Sequence, residues 1–178
     1  VYLYAMGRIG PANDDIGASQ VAYIQHAYPD LAPKRILDLG CAAGHSTVPY
    51  KQAYPDAEIF AVDVAAPMVR YAHHRAAGMG HDIHYAQRLA EDTQFPDNHF
   101  DIIVTNLLFH EVEPPAISKI VPEFHRIMRR GGIWDLTDGP GGPGHPKLSR
   151  PMTITTKAAR WVNHRYNNEA WEIEWAGV

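Results

Sequence analysis

Gly40 and Gly44 close the run Arg35-Ile36-Leu37-Asp38-Leu39-Gly40-Cys41-Ala42-Ala43-Gly44, and the segment after them has helical character. A strand that turns through glycines into a helix can hold a ligand against its backbone. Glycine lacks the Cβ that would keep a ligand away and reaches dihedrals closed to other residues. A negative or polar ligand would then meet the free N–H groups of the helix expected to begin near His45. Nineteen residues after Gly44, the apolar run Glu58-Ile59-Phe60-Ala61-Val62 ends in Asp63. A carboxylate there can accept hydrogen bonds from both hydroxyls of a ribose diol. The same residue would also serve as a helix N-cap, with Pro67 near the first turn after it, and the two roles are compatible.

A second group of reactive side chains follows the apolar run ending at Asn106. His110 and Glu111 lie just beyond it, near the carboxyl end of a strand, where open α/β sheets bind ligands. Either could take a proton from an acceptor hydroxyl. The plainer readings are a helix-start histidine satisfied by backbone groups and a first-turn carboxylate favoured by the helix dipole. His73 and His74, with His81 and His84 close behind, invite a metal, yet no thiolate cluster accompanies them and a solvated helix face accounts for them. The single Cys41 excludes an internal disulfide framework and fits packing in a reducing compartment.

The glycine pattern departs from the GxGxxG of dinucleotide enzymes, because Gly40, Ala42 and Gly44 occupy alternate positions and Asp38 precedes the first by two. This DxGxAxG run resembles motif I of the class I S-adenosylmethionine-dependent methyltransferases, with Ala42 in place of the middle glycine. The resemblance extends from about Pro33 to Thr137. Ala90-Glu91-Asp92-Thr93-Gln94-Phe95-Pro96 resembles the family's adenine-contacting segment, with Leu89 where the family often has Asp. Phe100-Asp101-Ile102-Ile103-Val104-Thr105-Asn106 resembles its fourth strand, and Phe124 through Gly132 resembles the helix and glycine turn before the fifth.

The resemblance implies S-adenosyl-L-methionine as cofactor and methyl transfer to a small-molecule acceptor, with oxygen preferred because His110 offers a base. Gly40 and Gly44, with Cys41 between them, would flank the methionine part, and Asp38 would order the loop. Asp63 would bind the ribose, while Val64 and Met68 would cover the adenine face. Ala90 and Glu91 would meet the adenine edge, and the Asn106 carbonyl would bind the donor's amino group; Tyr2 and Tyr4 would close over its carboxylate. Two rivals stand beside this reading: a nicotinamide-dependent oxidoreductase, and a noncatalytic regulatory protein that binds the donor without methyl transfer.

To position these residues the chain must alternate strands and helices, which predicts a Rossmann-like, doubly wound, mostly parallel sheet in a three-layer αβα sandwich. Strands are expected at 35–39, 58–62, 82–86, 101–105 and 132–137, and helices near 15–28, 45–53, 66–77 and 116–129. With 178 residues and 46% hydrophobic content, residues 1–178 read as one domain with one substantial core. Sixteen basic against 20 acidic residues, a net charge of −4, gives no overall basic excess of the kind nucleic-acid binders carry. Lys119, Arg126, Arg129 and Arg130 read as the solvated face of an amphipathic helix. No apolar run approaches the roughly twenty residues of a membrane span, and the cytoplasm is the expected location. The sequence leaves room for a homodimer.

The stretch 139–146 is too rich in glycine and proline for regular structure and suits a linker or a lid hinge. Trp161, Tyr166, Trp171 and Trp175 beyond it would pack a helix on the sheet or line an aromatic acceptor pocket. The family's sheet ends in a further strand pair, for which little chain remains, so truncation at one or both ends is expected.

Overall fold

The computed structural model describes residues 14–112 and 114–138. The expectations for Tyr2, Tyr4, the His110 side chain, the 139–146 stretch and the four late aromatics lie outside what the structure describes. In chain order the elements are α1 (Asp15–Ala27), β1 (Arg35–Leu39), α2 (Thr47–Ala53), β2 (Glu58–Asp63), α3 (Ala66–Gly78) and β3 (His84–Gln87). Then follow β4 (Phe100–Asn106), a single 3-10 turn (Phe109–Glu111), α4 (Pro114–Ile127) and β5 (Met128–Thr137).

The strands form one sheet in the order β3-β2-β1-β4-β5, and every pair is parallel. Two apolar faces explain this arrangement. Ile36 to Leu39 of the central strand are all buried, as are Phe100 to Thr105 of β4. Such strands need cover on both sides, which crossover helices supply. On one face Ile36, Ile59, Ile102 and Val104 pack with Val21 and Ile24 of α1, Tyr50 of α2 and Ala76 of α3. On the other, Leu37, Leu39, Val62 and Ile103 pack with Ile117, Ile120, Phe124 and Ile127 of α4. Spaced by three or four, those last residues present one apolar stripe to the sheet. The chain winds outward from β1 to β3 and then returns to β4 and β5, so the strand order reverses between β1 and β4. A crevice opens at the carboxyl ends of such strands.

The fifth strand begins four residues earlier than expected. Met128 already pairs with Phe100, a register irregularity follows between Phe100 and Ile102, and Gly131 takes a φ of +75° within it. The run Arg129-Arg130-Gly131-Gly132 reads as a turn because it is a bulged edge. Arg129 and Arg130 therefore stand on β5 rather than on a helix face, and Arg129 pairs with the buried Asp101 at 2.5 Å. The second helix starts at Thr47, two residues after the expected start, because Ser46 and Thr47 turn their hydroxyls inward to Asp38. Among the described residues no helix is long and apolar enough to cross a membrane.

Candidate functional site

A cavity of about 370 Å³ lies at the carboxyl ends of β1 and β2 and is closed on one side by α4. Its walls bring together Gly40 at the end of β1, Asp63 and Val64 at the end of β2, Ala90 and Glu91 beyond β3, and Glu111 beyond β4. Six of the residues singled out from the sequence thus meet around one space. Its size suits a small ligand.

Asp63 organises the rim. Its Oδ2 accepts the Ala42 N–H at 2.9 Å and its Oδ1 accepts the Ala65 N–H at 2.7 Å. The N-cap position of α3 is Ala65, so Asp63 braces the residue before the helix rather than occupying the cap itself. An ionised carboxylate offers about four lone-pair sites. Two N–H groups use about half of them, which leaves one on each oxygen for a pair of hydroxyls.

The glycine turn is bent by left-handed residues at alternate positions: Gly40 at φ +75°, Ala42 at +44° and Gly44 at +77°. What approaches the two glycines is protein. A Cβ on Gly40 would lie 2.8 Å from Leu108 Cδ1, and one on Gly44 would lie 2.6 Å from the Tyr85 hydroxyl. Gly40 therefore admits a side chain that itself lines the cavity, whereas Gly44 opens toward β3 and α3. Gly44 is also held from below, since its carbonyl accepts Arg75 Nη1 at 3.2 Å. Arg75 in turn clasps both oxygens of Asp14 at 2.7 and 2.6 Å, and Asp14 meets His45 Nδ1 at 2.8 Å. This cluster ties the start of α1 and the flank of α3 to the glycine turn.

Asp38 lies under the turn, 1% exposed, with Oδ2 accepting the Ser46 and Thr47 hydroxyls at 2.7 and 2.5 Å. Burial pushes its carboxyl up to about 6, against those two hydrogen bonds and with help from the charges of Asp63 and Asp135. Cys41 is buried in the core on the α1 face, and burial raises its thiol, so it packs rather than reacts. Asp38, Cys41, Gly44, Met68 and Asn106 do not line the cavity itself. The Asn106 side-chain oxygen is buried with no hydrogen-bond partner.

The segment carrying Ala90 and Glu91 is fastened from α4. Glu123 accepts the Thr93 N–H at 2.9 Å and the Thr93 hydroxyl, and Arg126 binds Glu123, the Phe95 carbonyl and Asp97. Burial disfavours the Glu123 charge, but the hydrogen bonds from Arg126 and Thr93 outweigh it and bring the carboxyl down to about 2. Arg126 thus anchors this segment while its side chain stays partly exposed. Arg88, on the cavity wall, donates to the Thr93 carbonyl and lies 4.3 Å over the Phe95 ring.

The sequence did not single out Leu108, Arg88 and Val112, or Ala116 and Ile120 of α4, all of which line the cavity. On α4 the cavity residues share the spacing of core residues, so periodicity could not separate them. His73 and His74 are exposed on α3, with ring centroids 5.6 Å apart. Among the described residues no group of three or more His, Cys, Asp or Glu gathers as a metal site.

A parallel sheet with a glycine turn after its first strand, an acidic residue ending its second and a cavity at the reversal of strand order defines a nucleotide-type binding fold. The chain belongs to the methyltransferase domain family, which it matches over residues 36–132. It is 35% identical over 121 residues to a malonyl-[acyl-carrier protein] O-methyltransferase of Methylococcus capsulatus, covering 66% of this chain and 41% of that protein. To the demethylmenaquinone methyltransferase of Thermus thermophilus it is 30% identical over 114 residues, covering 64% and 51%. The crystal structure of the YcgJ protein of Bacillus subtilis superposes with a TM-score of 0.67 at 24% identity, covering 86% of this chain and 64% of that one. The chain spans about half the length of the curated relatives it matches.

Proposed function

We propose that this chain binds S-adenosyl-L-methionine in the cavity and transfers its methyl group to a small-molecule acceptor, at oxygen, by in-line displacement. The observation that carries the reading is Asp63, whose carboxylate lines the cavity while two backbone N–H groups fix both of its oxygens. A group so fixed is set for a vicinal diol without reorganising. Family membership and the names of the two relatives support methyl transfer, and one of those names specifies oxygen.

The residues divide the work by position. Asp63 takes the ribose hydroxyls, and Gly40 and Gly44 carry the turn along which the methionine part lies. Asp38 keeps that turn in shape through Ser46 and Thr47. Val64 covers one face of the adenine with Met68 behind it, and Ala90 and Glu91 meet its edge. The Asn106 carbonyl receives the donor's amino group. When bound, the donor supplies an activated methyl on a positively charged sulfur, so the carbon–sulfur bond breaks, the sulfur keeps the electron pair and a carbon–oxygen bond forms. Glu111, on the cavity wall, or its neighbour His110 takes the proton that the acceptor hydroxyl loses.

The test is transfer of a labelled methyl group to a panel of carboxylate, phenol and amine acceptors. Oxygen methylation that falls at least tenfold in Glu111→Gln or His110→Ala, with donor affinity kept, supports the reading. Labelling confined to nitrogen or carbon acceptors overturns the choice of oxygen. Donor binding with no transfer to any acceptor points to a regulatory protein.

A further inference from the structure

We infer that Asp138 is a positioning residue for the donor cavity, acting through the turn after β4 without lining the cavity itself. The inference rests on the reading of the cavity as a donor site. Beyond Asn106 the chain must leave the sheet abruptly, and Leu107 does so with a φ of +57°, where a side chain is strained. Two bonds from the end of β5 hold it there. The Thr137 carbonyl accepts the Leu107 N–H at 2.7 Å, and Asp138 Oδ2 accepts the Phe109 N–H at 2.8 Å. The second bond fixes the first N–H of the 3-10 turn, whose own closure is the Glu111 N–H to Leu108 carbonyl bond at 3.1 Å.

This short turn carries three parts of the cavity wall: Leu108, which fills the space over Gly40, then Glu111 and Val112. Phe109 points the other way and is buried against Phe124 and Trp134, with ring centroids 6.2 and 5.8 Å away. Apolar packing thus seats the turn, while the Asp138 carboxylate sets its rotation. A hydrogen bond from an N–H to a carboxylate is about twice as strong as one between neutral groups. Without it the strained Leu107 can relax, and Leu108 and Glu111 shift together.

Calorimetric titration with S-adenosylhomocysteine and amide hydrogen exchange would be measured on the wild type, Asp138→Ala and Asp138→Asn. Asparagine keeps an oxygen that can accept the Phe109 N–H; alanine keeps none. The expected result is a loss of at least tenfold in affinity and at least tenfold faster exchange across 107–112 in Asp138→Ala. The asparagine variant should stay within about threefold of wild type in both. Unchanged exchange in Asp138→Ala, failure of the asparagine variant to restore it, or loss of cooperative melting in the alanine variant would each overturn the assignment. Failure of the wild type to bind, with the exchange pattern as expected, would instead count against the donor reading and leave Asp138 holding the turn.

Discussion

Asp63 and Ala42, 21 residues apart, meet where the carboxylate Oδ2 accepts the alanine N–H at 2.9 Å. The bond joins the end of β2 to the middle of the glycine turn and holds Ala42 at φ +44°. Left-handed backbone costs an alanine roughly 1–2 kcal/mol, and a hydrogen bond to a charged group contributes about 1.5–3 kcal/mol. The two are comparable, so the substitution of alanine for the family's middle glycine is sustained by the residue that the site needs for another purpose.

Ala42→Gly should therefore stabilise the protein. Relief of roughly 1–2 kcal/mol of strain, less about 0.4–1 kcal/mol for the greater freedom of the unfolded chain, leaves a gain of about 0.5–1 kcal/mol. Urea denaturation would show a higher midpoint at an unchanged slope. A lower midpoint would mean that the Ala42 methyl contributes packing that outweighs the strain.

Asp38 makes stability depend on pH in the opposite sense to an ordinary paired carboxylate. Burial raises it from 3.8 to about 6, so between those values the folded state holds a proton that the unfolded chain has released. Its contribution is present below about 4 and is lost as pH rises through 6, amounting to roughly 2–3 kcal/mol. Asp38→Asn keeps an acceptor for Ser46 and Thr47 and has no charge to bury. Urea melts from pH 4 to 8 should show this downward trend removed in the variant; parallel curves for the two proteins would contradict the assignment.

The sheet and the rim of the site were legible in the sequence because each has a local signature. Buried strands β1, β2 and β4 read as apolar runs, and Gly40 and Asp63 stand where those runs end. The closing wall was not legible: Ala116 and Ile120 obey the same spacing as Phe124 and Ile127, although Ala116 faces the cavity, Phe124 and Ile127 face the core, and Ile120 belongs to both. Nor does spacing reveal that Gly44 makes room for the Tyr85 hydroxyl, since the two lie 41 residues apart and meet only through the crossovers.

Glu123 carries the opposite pH signature to Asp38. Its carboxyl lies at about 2 against an ordinary 4.5, so its contribution is present above about 4.5 and is lost as pH falls through 2. Glu123→Gln removes the charge facing Arg126 and weakens the hold on Thr93, and should cost about 2–3 kcal/mol at pH 7. Because Thr93 anchors the segment bearing Ala90 and Glu91, donor affinity should fall with stability. Thermal melts paired with titrations would detect both effects, and a loss of stability with unchanged affinity would show that the segment keeps its place without Glu123.

The measurement that bears most directly on the whole account is calorimetric titration of S-adenosylmethionine, S-adenosylhomocysteine and NAD into the wild type and Asp63→Ala. Both sulfur compounds should bind the wild type, NAD should not, and the variant should lose at least tenfold in affinity while remaining folded. Binding of NAD in preference to the sulfur compounds, or sulfur-compound affinity untouched by loss of the Asp63 carboxylate, would contradict it.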